Sequence, residues 1–149
     1  MKGAFSQYGG ATTVSGTLAS AIVGDYGGAM AYKSALTSGS TTTSLRLQGG
    51  VTLEFDAAVS SSQTVLFQDA TDILNLGTPS SFGGTIAGLA NGDAIDLLNQ
   101  TATSLSFSAG VLTVMNGGSQ VAALHMSGAY TSASFTLAVD NHGGSMILA

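Results

Sequence analysis

The acids of this chain are Asp25, Glu54, Asp56, Asp69, Asp72, Asp93, Asp96 and Asp140. Two pairs share a spacing: Asp69 with Asp72, just before Ile73, and Asp93 with Asp96, which bracket a strand start. Turns rich in Asp, Asn and backbone carbonyl oxygen can hold Ca²⁺. Asp69, Asp72, Asp93 and Asp96 are therefore the candidate calcium ligands. The competing role is turn capping, in which an Asp carboxylate accepts backbone N–H bonds. No loop offers three close carboxylates, so capping is the expectation and no cofactor is required.

Other chemistry is poorly provided for. A glycosidase or lyase needs two carboxylates at a set separation, or a Lys or Arg base in a groove. Asp69, Asp72, Asp93 and Asp96 could line one edge, but Trp is absent and aromatics are sparse. His125 lies in an alternating segment and His142 in a turn, with no third ligand nearby in sequence to suggest a metal site. No Gly-x-Ser-x-Gly elbow occurs. Thr41-Thr42-Thr43 and Thr101-Ala102-Thr103 bring ice binding to mind, but a flat ice-binding face needs regular Thr rows. The expectation is a protein that is not an enzyme and has no catalytic residues.

Composition points the same way. The chain has 149 residues, enough for one core. Apolar residues make up 44% and charged residues only 7%, against about 25% in ordinary soluble domains. About a quarter are Ser or Thr, and 21 are Gly. Hydroxyls, amides and backbone must therefore cover the surface. The net charge of −5, with Lys2, Lys33 and Arg46 as the only Lys and Arg residues, offers no basic footprint for nucleic acid or anionic membrane. Low charge also weakens the repulsion that keeps copies apart, so the expected partner is the chain itself. There is no Cys, which permits an external location without requiring one. No run of about 18 apolar residues occurs to span a membrane. Ala11–Ile22 is diluted by Thr, Ser and Gly and does not read as a signal peptide, so export would use a signal-free or C-terminally directed route.

These residues sit on short strands. Ser44–Gln48 and Val51–Phe55 alternate, with Val51, Leu53 and Phe55 on one face. Thr64–Gln68, Asp72–Leu76, Thr85–Leu89, Ala94–Leu98 and Ser104–Ser108 follow at intervals that suit a sandwich, a barrel or a parallel solenoid. Their turns are longer than two-residue hairpins, which favours an all-β, parallel β-solenoid or β-helix-like fold over residues 43–108, with a β-sandwich as the alternative. Val111–Met115 and Val121–Met126 flank Asn116–Gln120 as a hairpin, and Ser134–Val139 with Ser145–Leu148 form a second pair. These hairpins would cap the solenoid. Residues 1–42 read differently: they hold three of the four tyrosines and few large apolar residues. Thr12–Leu18 is a candidate strand and Ala29–Leu36 a candidate short helix. The expected organisation is an N-terminal flank or assembly segment, 1–42, before a solenoid-like domain, 43–149.

Phe82–Leu97, Leu105-Ser106-Phe107, Val111–Val114, Val121–Leu124 and Asp140–Ile147 occur in one order. Together they resemble a C-terminal β-rich repeat module of large alphaproteobacterial secreted and surface proteins, including type I-secreted, adhesin-like and autotransporter-like chains. The resemblance covers residues 64–149 and implies an extracellular β-rich module without catalytic residues. The calcium-binding nonapeptide of such proteins is not reproduced: Gly83-Gly84 is followed by Thr85-Ile86. The functional expectation is an extracellular structural subunit that assembles head to tail into a filament or surface layer, with a matrix or biofilm-type role. The alternative is an adhesin or appendage module that binds carbohydrate, such as cell-surface polysaccharide, or a host surface.

Overall fold

The computed structural model describes residues 4–18, 20–40 and 43–149. Thr41 and Thr42, from the threonine run considered for ice binding, lie outside them. The chain is a parallel β-solenoid with an antiparallel cap. Five strand pairs form its body: β1 (Ala4–Gln7) and β2 (Ala11–Val14), β3 (Ile22–Asp25) and β4 (Ala29–Tyr32), β5 (Ser44–Leu47) and β6 (Thr52–Phe55), β7 (Thr64–Phe67) and β8 (Ile73–Leu76), β9 (Thr85–Ala87) and β10 (Ala94–Leu97). Odd-numbered strands of these pairs stack in one sheet and even-numbered strands in the other, all parallel to their neighbours.

The fold follows from period-2 patterning repeated coil after coil. Val23, Leu45, Val65 and Ile86 share one column in the first sheet. Met30, Leu53, Leu74 and Ile95 share one in the second. All eight are buried, each contributing about 1.5–3 kcal/mol of transfer free energy. A third column of isolated bridges, Leu36, Val59 and Phe82, closes the corner between β-even strands and the next coil. Tyr32, Phe55 and Phe82 run through the core with ring centroids 5.4 and 5.9 Å apart.

The cap comprises β11 (Ser104–Ser108), β12 (Val111–Asn116), β13 (Ser119–Ser127), β14 (Thr136–Val139) and β15 (Ser145–Leu148). β12 and β13 form the expected hairpin, and β14 and β15 the second antiparallel pair. β13 lies parallel on β9, and β15 lies antiparallel on β10. Phe107, Tyr130 and Phe135 fill the core end beneath them, and the Tyr130 hydroxyl donates to the Leu89 carbonyl at 2.9 Å.

Several expectations are corrected. Residues 4–32 are not a flank apart from the solenoid. They supply two of its coils, because β3 pairs with β5 and β4 with β6 in the same parallel ladders. Ala29–Tyr32 is strand β4 rather than the start of a helix. Val51, Leu53 and Phe55 accordingly lie mid-stack, not at its N-terminal end. Ser104–Ser108 belongs to the cap meander, since β11 is antiparallel to β12. No strict period exists because the loops differ in length. Ala4, Ile22, Ser44, Thr64 and Thr85 share one column at offsets of 18, 22, 20 and 21 residues.

Candidate functional site

The four candidate calcium ligands fall at two places. Asp69, Asp72 and Asp93 stand in the turns that lead from the first sheet to the second, on successive coils. Both Asp69 carboxylate oxygens accept the Gly49 N–H, at 3.1 and 3.0 Å. Asp72 Oδ1 accepts the Val51 N–H at 2.9 Å. Asp93 Oδ1 accepts the Asp72 N–H at 3.1 Å, while its Oδ2 accepts the Ala90 N–H at 2.9 Å. These carboxylates hold donors of the preceding coil or of their own turn, so their geometry is that of caps that also join coils. Among the described residues, no three acidic or imidazole groups converge to hold a metal.

The electrostatics of the column follow from burial without a cation. Asp72 is fully buried, and desolvation pushes its carboxyl up to about 6. The Val51 N–H opposes that rise, and the Asp69 side chain and the charges of Asp69 and Asp93 add to it. Asp93 is also raised, chiefly by burial, against the pull of its N–H partners. Lys33 is far from this column in the ladder: it pairs with Glu54 and Asp56 on the outer side of the second sheet.

Asp96 lies apart from the other three, on the outer side of β10. Burial raises its carboxyl, as does the neighbouring Asp140, with which it shares a side-chain hydrogen bond. Asp140 is held below the usual range because its Oδ1 accepts the His142 and Gly144 N–H groups at 2.7 and 2.9 Å. The contact shifts the two carboxyls in opposite directions and joins the solenoid body to the cap turn. His142 thus lies in the turn as expected, and His125 is exposed on β13. A small open cavity lies between the loops after β2 and β4, lined in part by Gly16, Leu18, Ser34 and Leu36, and no titratable side chain lines it.

Sequence reasoning missed a repeat in the first two coils. Gln7-Tyr8-Gly9-Gly10-Ala11 and Asp25-Tyr26-Gly27-Gly28-Ala29 lie 18 residues apart, the offset of the ladder itself. The two tyrosine rings stack with centroids 5.3 Å apart and 19° between planes, and Tyr8 is 79% exposed. Gly28 has a φ of +94°, and a Cβ there would lie 2.0 Å from the Gly10 carbonyl oxygen. Glycine is therefore needed for both conformation and coil spacing. Beneath the turns, Gln7 Nε2 donates to the Ala29 carbonyl at 2.9 Å.

The other candidate site is backbone. Among the described residues, β1 and β2 end their sheets at one pole of the stack, and β11 and β14 end the same two sheets at the other. No protein-family model, curated protein or solved structure matches the chain. What the ends could do is therefore read from their geometry. An outer strand presents backbone N–H and C=O groups that can template another strand, but the edge of β11 is partly covered: the Ser132 hydroxyl, in the short turn Ser132–Ser134, accepts the Phe107 N–H at 3.3 Å and donates to the Phe107 C=O at 3.4 Å. None of the four contains a charged residue or a proline, the usual devices that blunt an edge. No helix among the described residues is long and apolar enough to cross a membrane.

Proposed function

We propose that this chain is an extracellular structural subunit that assembles head to tail into a filament or surface layer. The observation that carries this reading is the sense of the terminal strands. β13 is parallel to β9, and two antiparallel steps lead from it to β11, so β11 runs as β9 and β1 do. Two antiparallel steps likewise lead from β10 to β14, so β14 runs as β10 and β2 do. Parallel addition of a second copy therefore continues the sheets without reversing a strand. Such a contact is heterologous, and repeated it produces an open filament.

Side-chain phase supports the same reading. Leu105 and Phe107 of β11 sit opposite core residues Val114 and Leu112, and Leu137 and Val139 of β14 sit opposite Ile147 and Ser145. They occupy core-side positions with no strand beyond them, and Val139 is 75% exposed as a result. Phe5 and Val14 occupy core-side positions at the other pole. An extracellular setting accords with the resemblance over residues 64–149 and with a surface of hydroxyls in place of charges.

The deciding experiment is negative-stain microscopy of the purified chain over a concentration series. Filaments or sheets are expected. Discrete single particles at every concentration would overturn the reading. The exposed Tyr8 ring stacked on Tyr26 is the feature that favours an adhesin instead, since stacked aromatics offer a platform for a sugar ring, and a glycan array distinguishes that role.

A further inference from the structure

The two sheets are not equally tall. Among the described residues one has eight strands and the other seven. The cap adds β13, β12 and β11 above β9 but only β15 and β14 above β10. The poles at β1 and β2 show no such difference, because each belongs to the same first coil. A copy seated by simple translation would place its β1 on β11. Its β2 would then stand one strand short of β14, a gap of about 4.8 Å in the hydrogen-bonding direction.

We infer that successive copies are related by a half-turn about the solenoid axis, so that β1 of one copy pairs with β14 of the copy before it, and β2 with β11. This rests on the head-to-tail reading above. The chain runs out along one sheet and back along the other, so a half-turn about the stack axis exchanges the sheets and preserves strand sense. It also closes the step. In a continuous coil β2 stands higher than β1 by part of one strand spacing, and by half of it when the rise is even. Placing β1 on the shorter sheet lets that rise carry β2 to the top of the taller one. The fifteen strands then amount to seven and a half coils, and the half coil left over sets the rotation.

Seating β2 on β11 requires the Ser132 hydroxyl, which bonds the N–H and C=O of Phe107 on that edge, to move aside. The pairs then brought together fit in residue type. β14 and β1 are four residues each. Leu137 and Val139 would meet Phe5 and the buried Gln7, and Leu105 and Phe107 would meet Thr12 and Val14, each on the core side. None of these strands carries a charge that would be desolvated or repelled.

Site-directed cross-linking tests the inference, aided by the lack of any native Cys. Outward positions near the strand centres are Ser6 in β1, Thr13 in β2, Ser106 in β11 and Ala138 in β14. A short bis-maleimide added to assembled protein should produce covalent ladders on denaturing gels from Ser6→Cys/Ala138→Cys and from Thr13→Cys/Ser106→Cys. The pairs Ser6→Cys/Ser106→Cys and Thr13→Cys/Ala138→Cys should stay monomeric. The reverse pattern would overturn the half-turn and leave head-to-tail assembly standing. Filaments without ladders from any pair, or with equal ladders from all four, would also overturn the half-turn. Absence of both filaments and ladders would overturn the head-to-tail reading itself, and the half-turn with it.

Discussion

Asp93 Oδ1 accepts the backbone N–H of Asp72 at 3.1 Å, and Asp72 Oδ1 accepts that of Val51 at 2.9 Å, so two buried carboxylates in succession tie the fifth coil to the fourth and the fourth to the third. Replacing Asp93 by Ala leaves the buried Asp72 N–H and the part-buried Ala90 N–H without their acceptors. The expected cost is about 2 kcal/mol. Asp93→Asn, which retains one acceptor, should lose less. Urea unfolding of the two variants checks the order.

The pH dependence of stability should run against the usual one for carboxylates. Asp72 is raised to about 6, and Asp25, Asp93 and Asp96 are raised mainly by burial. A raised carboxyl binds its proton more tightly when folded. Its stabilising effect is full below the unfolded value of about 4 and is lost as pH rises through the folded value. Asp140, held low, acts in the opposite direction: its contribution is present at neutral pH and lost in acid. The four raised groups outnumber it, so the melting temperature should fall between pH 4.5 and 8. Asp72→Asn keeps an acceptor for Val51 and a donor for Asp69, and it should flatten the pH profile.

Much of this architecture was legible in the sequence, but unevenly. Leu45 with Leu47, Leu53 with Phe55, and Val65 with Phe67 alternate plainly because their coils bury large apolar side chains. The first two coils place Gln7 and Asp25 where later coils place Leu47 and Phe67, and the apolar signal fails there. Residues 1–42 therefore resembled a flank although most of them form strands or the loops between them. The 18-residue repeat of Tyr-Gly-Gly was the signal that survived. Asp69, Asp72 and Asp93 were legible as caps. Their reach to donors 20 or 21 residues away was not, because it depends on coil stacking, and neither was the pairing of Asp96 with Asp140.

Tyr32 is buried to 1% exposure, its hydroxyl has no hydrogen-bond partner, and burial pushes its ionisation well above the ordinary value. An unsatisfied buried hydroxyl costs about 1–3 kcal/mol. Tyr32→Phe keeps the ring contact with Phe55 and removes that penalty. The variant should match or exceed the parent in thermal stability, and a clear loss would show that the hydroxyl has a partner.

Gly28 and Gly118 make a paired test of the coil turns. Gly28→Ala forces a Cβ into the Gly10 carbonyl at a φ of +94°, whereas nothing lies within 4 Å of a Cβ at Gly118. Gly28→Ala should destabilise by about 1–3 kcal/mol, the range for strain at such backbone positions. Gly118→Ala, on the exposed cap hairpin, should fall within about 0.5 kcal/mol of the parent. Hydrogen exchange should place the added opening of Gly28→Ala in β1–β4, with β5–β10 still protected.

Edge charge separates folding from assembly. Ser6 and Thr13 are exposed, with side chains on the outer side of their sheets, so lysine at either position leaves the core columns intact. A charge on an edge strand is a common natural defence against strand addition. In a stacked filament the ammonium of Ser6→Lys or Thr13→Lys would lie against the neutral β14 or β11 of the next copy, with no carboxylate in either strand to meet it. The double variant should keep the parent circular dichroism spectrum and melting temperature within a few degrees. Its critical concentration for assembly should rise at least tenfold, which corresponds to about 1.4 kcal/mol of lost contact free energy. Unchanged assembly of the double variant would remove β1 and β2 from the contact.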